Sequence, residues 1–184
     1  AAIEEEHLAG VLLSELHSYK APKSGSELVQ DALEHPIGTP RLCDMAIGKK
    51  NIVVISSDHT RPVPSHIMMP LILAEIRKGN PDADITILIS TGLHRTTTQE
   101  ELADKFGSEI MANEKIIVHN CDDNDNLVYL GKLPSGGNLI INRLAAEADL
   151  LVAEGFIEPH FFAGFSGGRK SVLPGVASRE TVMY

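Results

Sequence analysis

The chain has 184 residues, 43% of them hydrophobic, enough for one domain with a real core. A net charge of −9 and a pI near 5.3 argue against nucleic acid or an anionic membrane surface as a partner. Cys43 and Cys121 lack ligand-like spacing, which disfavours a disulfide framework or a zinc cluster, and with no signal peptide or long apolar span the reading is a cytoplasmic protein.

In chain order, Leu8, Val11, Leu12 and Leu16 recur at helical spacing, and Ser26 to Leu33 read as a second short helix with Ser24 or Ser26 as its cap. Residues 1–50 thus form a helical lead-in, in which His7, His17 and His35 sit among acidic and polar neighbours as surface residues. From Asn51 the pattern changes. Asn51 to Ser56 reads as a buried parallel strand, Ser65 to Lys78 as a helix closed by Gly79-Asn80-Pro81, Ile85 to Ser90 as a strand, and Thr98 to Phe106 as a helix ending at Gly107. Lys115 to His119 is a third strand, and an acidic turn leads to strands at Leu127 to Leu133 and Leu139 to Ile141, separated by Pro134-Ser-Gly-Gly-Asn. A helix near Arg143 to Ala148, a strand from Asp149 to Ala153 and a helix opening at Ser178 complete the order. This alternation defines an α/β class, Rossmann-like, with a mostly parallel sheet and helices on both faces. There is no Gly-x-Gly-x-x-Gly after the first strand, which disfavours a standard dinucleotide site.

Ligands in such folds bind beyond the carboxyl ends of the strands, and three chemically loaded segments fall there. Asp58-His59-Thr60-Arg61 offers a carboxylate, a hydroxyl and a guanidinium ahead of a helix N-terminus; Arg61 can grip a phosphate or carboxylate. The bland alternative is a cap at Asp58 and a surface ion pair at Arg61. Thr91-Gly92-Leu93-His94-Arg95 follows the second strand. After the last strand, Glu154 to Gly175 packs four Phe, five Gly, His160 and Arg169-Lys170 into a loop longer than any connection needs. Glycines there admit a ligand close to backbone, cations attract an anion, and aromatic rings exclude water. His94 and His160 on one rim suit a pair of acid/base groups. Lys170 suits anion binding or, if desolvated, an amine nucleophile. His66 and His119 are assigned to packing or solvent.

Residues 56–66, 91–95, 133–137 and 154–175 resemble the N-terminal domain of the nickel-pincer-nucleotide lactate racemase family, a likeness that runs through nearly all of the chain from Asn51. The resemblance implies a two-domain enzyme binding a nickel(II) pyridinium-3,5-bisthiocarboxylate mononucleotide. It implies that Lys170 holds that cofactor covalently through a thioamide, that His94 and His160 are the acid/base pair, one for each enantiomer, and that Asp58, His59, Thr60 and Arg61 bind the nucleotide, with Arg61 also clamping the substrate carboxylate. One histidine takes the 2-hydroxyl proton of lactate while hydride leaves C2; hydride returned to the other face of pyruvate gives the opposite enantiomer. Proteins that make the cofactor are implied partners. The implied nickel-ligating histidine falls just after Tyr184 and the second domain is absent, so no metal ligand is assigned within residues 1–184 and the chain alone is expected to be inactive. A racemase or epimerase of another 2-hydroxy acid, and a non-catalytic phosphate-binding domain using Arg61, Arg169 and Lys170, are the alternatives.

Overall fold

Four strands form one parallel sheet, and the long apolar runs of the sequence are its centre. The computed structural model describes residues 4–11, 13, 15, 18–160 and 164–184. Strand β1 (Asn51–Ser57) is paired along its length with β2 (Asp84–Ser90) on one side and with β6 (Leu150–Ala153) on the other, and β3 (Lys115–Val118) adds beyond β2. Successive β1 side chains point to opposite faces, and both faces are covered, which is why Ile52 to Ile55 are all apolar. Ile52 and Val54 join Ile87 and Ile89 in packing against α3 (Ser65–Gly79) and α4 (Gln99–Asn113), through Met69, Leu73, Ile76, Leu102 and Phe106. Val53, Ile55 and Leu88 face the other way, onto Ile141, Ala145, Val176 and Ala177.

That second face carries only short helices, α5 (Arg143–Ala146) and α6 (Arg179–Met183). Further cover comes from Val176 and Ala177 and from Leu139 and Ile141 of β5 (Asn138–Asn142), which pairs with β4 (Leu127–Lys132) in an antiparallel ribbon, a sheet of its own. Helix α6 is held to it by Thr181, whose hydroxyl donates to the Asn138 carbonyl at 2.8 Å and accepts from the Ile140 amide at 2.9 Å.

Local signals explain the element ends. Ser24 closes a capping box with Glu27 at the start of α1 (Gly25–Glu34), and Thr98 does the same with Glu101 at α4. Gly107 does break helical geometry, at φ 80, but a further helical turn runs on to Asn113. The helix expected through Leu8 and Val11 is not found at the described positions: Glu5–His7 is a single 3-10 turn, and Leu12, Leu16 and His17 lie outside the described residues. Leu8, Val11 and Leu13 are 46%, 67% and 82% exposed, so their apolar stripe meets no surface, and an unpacked helix of that length is marginal in water. His7 and His35 are exposed, as expected, and of the two environments open to His66 the structure gives it solvent. An unforeseen helix, α2 (Leu42–Ala46), packs on α3; beside it Arg41 donates to the buried Glu75 carboxylate at 2.7 Å.

Candidate functional site

The site grows out of three strand ends that the sheet sets side by side. Beyond β1, Asp58 turns the chain by accepting the Thr60 amide at 3.0 Å and the Thr60 hydroxyl at 2.6 Å, so it shapes the loop and does not cap α3. Beyond β2, Gly92 takes φ 54 and its amide donates to the Gly175 carbonyl at 2.9 Å, fastening this turn to the end of the long loop. His94 then brings Nδ1 to 2.6 Å from Asp58 Oδ2. Beyond β6, the chain passes through the small ribbon of β7 (Pro159–His160) and β8 (Gly164–Phe165) and a 3-10 turn, Gly168–Ser171, that carries Lys170. Phe161 and Phe162, expected to help exclude water, lie outside the described residues.

Asp58, Thr60, Arg61, His94, His160 and Lys170 all line one cavity of about 300 Å³. His59 is the expected member that does not: its Nδ1 lies 3.3 Å from the Thr97 hydroxyl and 3.8 Å from Glu101, against the start of α4. Ser90 also lines the cavity, as do Ser57, Thr91, Ser166 and Ser171 of the loaded segments, none of which carries a role of its own in the sequence reading. Their signal was positional, since each follows or ends a strand or sits beside a singled-out glycine or lysine. His119 is not in the cavity. It is buried and fixed, with Nε2 at 3.0 Å from the Ala177 carbonyl and Nδ1 at 3.2 Å from the Asn142 amide nitrogen.

Electrostatics distinguish the groups. Burial by itself raises the Asp58 carboxyl, but hydrogen bonds from Thr60 and His94 outweigh it and hold the group below its ordinary value. Burial, and then the Arg61 guanidinium, push the Lys170 amine down, against the opposite pull of Asp58 and Glu158. Arg61 is partly satisfied by an ion pair, Nε to Glu158 Oε1 at 3.7 Å, yet it still faces the cavity. Just beyond β6, Glu154 Oε1 accepts hydroxyls from Ser56 and Ser65, the latter at 2.5 Å. Among the described residues, Glu154 Oε2, Lys105 Nζ and Ser57 Oγ are the buried side-chain atoms without a hydrogen-bond partner. No group of three or more His, Cys, Asp or Glu among the described residues is placed to hold a metal ion, and none of the described helices is long and apolar enough to cross a membrane.

A cavity bearing cations and imidazoles at the carboxyl edge of a parallel sheet places the chain among the α/β domains, the class in which ligands bind at that edge. The family model for the lactate racemase N-terminal domain matches residues 1–184, and the chain belongs to that family. It is 58% identical over 181 residues to a lactate racemase of Thermoanaerobacterium thermosaccharolyticum, covering 98% of this chain and 42% of that protein. It is 56% identical over 183 residues to a lactate racemase of Lactiplantibacillus plantarum, covering 100% of this chain and 43% of that protein. The solved lactate racemase apoprotein from T. thermosaccharolyticum matches with a TM-score of 0.84 and 61% identity, over 86% of this chain and 38% of that one. The chain therefore spans less than half the length of these relatives.

Proposed function

We propose that this chain is the cofactor-binding part of a lactate racemase, acting in the cytoplasm on D- and L-lactate. The observation that carries the reading is the meeting of two imidazoles, a guanidinium and an amine of depressed pKa around one cavity. A domain that only binds phosphate needs the cations but not the imidazoles.

The residues fit a nickel(II) pyridinium-3,5-bisthiocarboxylate mononucleotide better than a bare metal ion. Lys170 offers an amine for a thioamide bond, Arg61 with Thr60 and Asp58 suits the nucleotide portion, and the described residues offer no cluster that would hold nickel unaided. When bound, that group supplies the acceptor for hydride from C2 of the substrate. The chain supplies the proton chemistry. With Nδ1–H of His94 donated to Asp58, Nε2 is the nitrogen left to take the 2-hydroxyl proton of one enantiomer. His160 performs the same service for the other enantiomer, because racemisation requires a base on either side of a planar intermediate. Arg61 grips the carboxylate and sets its register between them. His59 contributes from behind, by holding its loop against α4.

The test uses the full-length protein produced together with the cofactor-making proteins. Intact-mass analysis is expected to find an adduct that Lys170→Ala abolishes, and His94→Ala and His160→Ala are expected to keep the adduct and lose lactate racemisation. A full-length protein with no adduct and no racemisation overturns the reading. Racemisation of a different 2-hydroxy acid in preference to lactate replaces the substrate and keeps the chemistry.

A further inference from the structure

His160 stands on a ribbon of two very short strands. Strands β7 and β8 have two residues each, pairing Pro159 with Phe165 and His160 with Gly164, and an isolated ribbon of that size is marginal in water. Ser166, 5% exposed, closes it from just beyond β8. Its amide donates to the Glu158 carbonyl at 2.9 Å, its hydroxyl accepts from the Glu158 amide at 3.0 Å, and the same hydroxyl donates to the Phe156 carbonyl at 2.5 Å. One side chain thus commits both its donor and its acceptor to the opposite arm, where ladder bonds run out. On the other side of Ser166, Gly167 at φ 75 opens the turn that carries Lys170.

We propose that Ser166 is a positioning residue, which fixes the imidazole of His160 relative to Lys170 and acts only through the arm it latches. The proposal rests on the acid/base assignment of His160 above. Alanine at this position leaves the Phe156 carbonyl without its donor and the Glu158 amide without its acceptor, while the backbone bond from residue 166 to Glu158 survives. The ribbon therefore stays closed at one point and loosens at the other, and His160 loses its alignment with the hydroxyl proton.

The experiment compares Ser166→Ala, Ser166→Thr and His160→Ala in the full-length, cofactor-loaded protein, reading racemisation from each enantiomer in H2O and in D2O. Ser166→Ala is expected to load Lys170 as the wild type does by intact mass, to lose roughly 10²-fold in kcat, as misplacement of a catalytic group by about an ångström does, and to show a larger solvent isotope effect. Ser166→Thr, which keeps a hydroxyl on the same carbon, is expected to recover most of the rate. Wild-type kcat and isotope effect in Ser166→Ala, alongside an inactive His160→Ala, overturn the proposal and leave the function standing. Loss of adduct and of thermal stability in step with rate also overturn it, since they mark a latch for the whole loop. A His160→Ala protein that racemises at the wild-type rate instead removes the functional reading on which the proposal rests.

Discussion

Nδ1 of His94 lies 2.6 Å from Oδ2 of Asp58, a carboxylate whose side chain is only 3% exposed, while the imidazole itself is 51% exposed. A buried acceptor behind an open ring fixes the tautomer and directs Nε2 outward. Asp58→Asn keeps the shape but can present an N–H to the ring, reversing the tautomer. Racemisation in the full-length holoenzyme is expected to fall roughly 10²- to 10⁴-fold, by analogy with the loss of tautomer control in a Ser-His-Asp triad, with the Lys170 adduct intact by mass.

Acid titration separates Asp58 from ordinary surface carboxylates. Its folded-state pKa is held below the usual 3.8, so its stabilising contribution is complete above that value and is lost only as pH falls through the lower one. The gap in urea midpoint between wild type and Asp58→Asn is expected to stay constant from neutral pH down to about 4 and to close below it.

His119 behaves in the opposite pH range. Burial pushes its pKa below 6.5, only partly offset by the bond to the Ala177 carbonyl, and protonating Nδ1 removes the acceptor for Asn142. An unfolded chain takes up that proton near 6.5 while the folded one resists, so stability is full above 6.5 and declines as pH falls from there towards the depressed folded value. Urea midpoints between pH 7.5 and 5.5 are expected to fall in the wild type and to flatten in His119→Gln.

Gly175 has no room for a side chain: a Cβ there would stand 2.2 Å from the Ser171 carbonyl oxygen and 3.0 Å from that of Lys170. Both neighbours are backbone, so the clash cannot be relieved by a rotamer change. Gly175→Ala is expected to cost about 1–3 kcal/mol or more in urea denaturation, and to lower adduct formation at Lys170, because the turn that presents the amine must open.

Glu154→Ala strips the shared acceptor from the Ser56 and Ser65 hydroxyls, both on residues that are fully buried. A loss of about 1–3 kcal/mol is expected, checked by urea denaturation, because the Ser65 hydroxyl loses its acceptor and Ser56 keeps only the long contact to the Ser57 carbonyl at 3.4 Å. Lys105, whose amine burial already lowers, also loses the charge of Glu154 that opposes that shift.

The strands were legible because their physics is local and repetitive. Ile52 to Ile55 and Ile87 to Ile89 can be apolar on successive residues only if both faces are covered, and that condition implies a parallel sheet. Placing His94, His160, Arg61 and Lys170 on one rim followed from topology alone. What sequence could not give was direction within the rim: His59 and Asp58 are adjacent, yet one turns to Thr97 and the other to His94. Partners separated by tens of residues decide that, and spacing does not encode them. The hydroxyl of Ser166 was hidden for the same reason, since one serine beside two glycines has no periodic signature. The lead-in failed in reverse: Leu8 and Val11 have helical spacing without a surface to bury against.

The order β2-β1-β6 gives the molecule a built-in gauge. The segments bearing the two imidazoles are launched from strands that flank a common neighbour, so their origins stand two inter-strand spacings apart, about 10 Å. That width is dictated by main-chain pairing, which side-chain substitution along the strands leaves untouched. The spacing fixes where the two segments start, and the loops beyond, long in the case of His160, set where each imidazole finally stands.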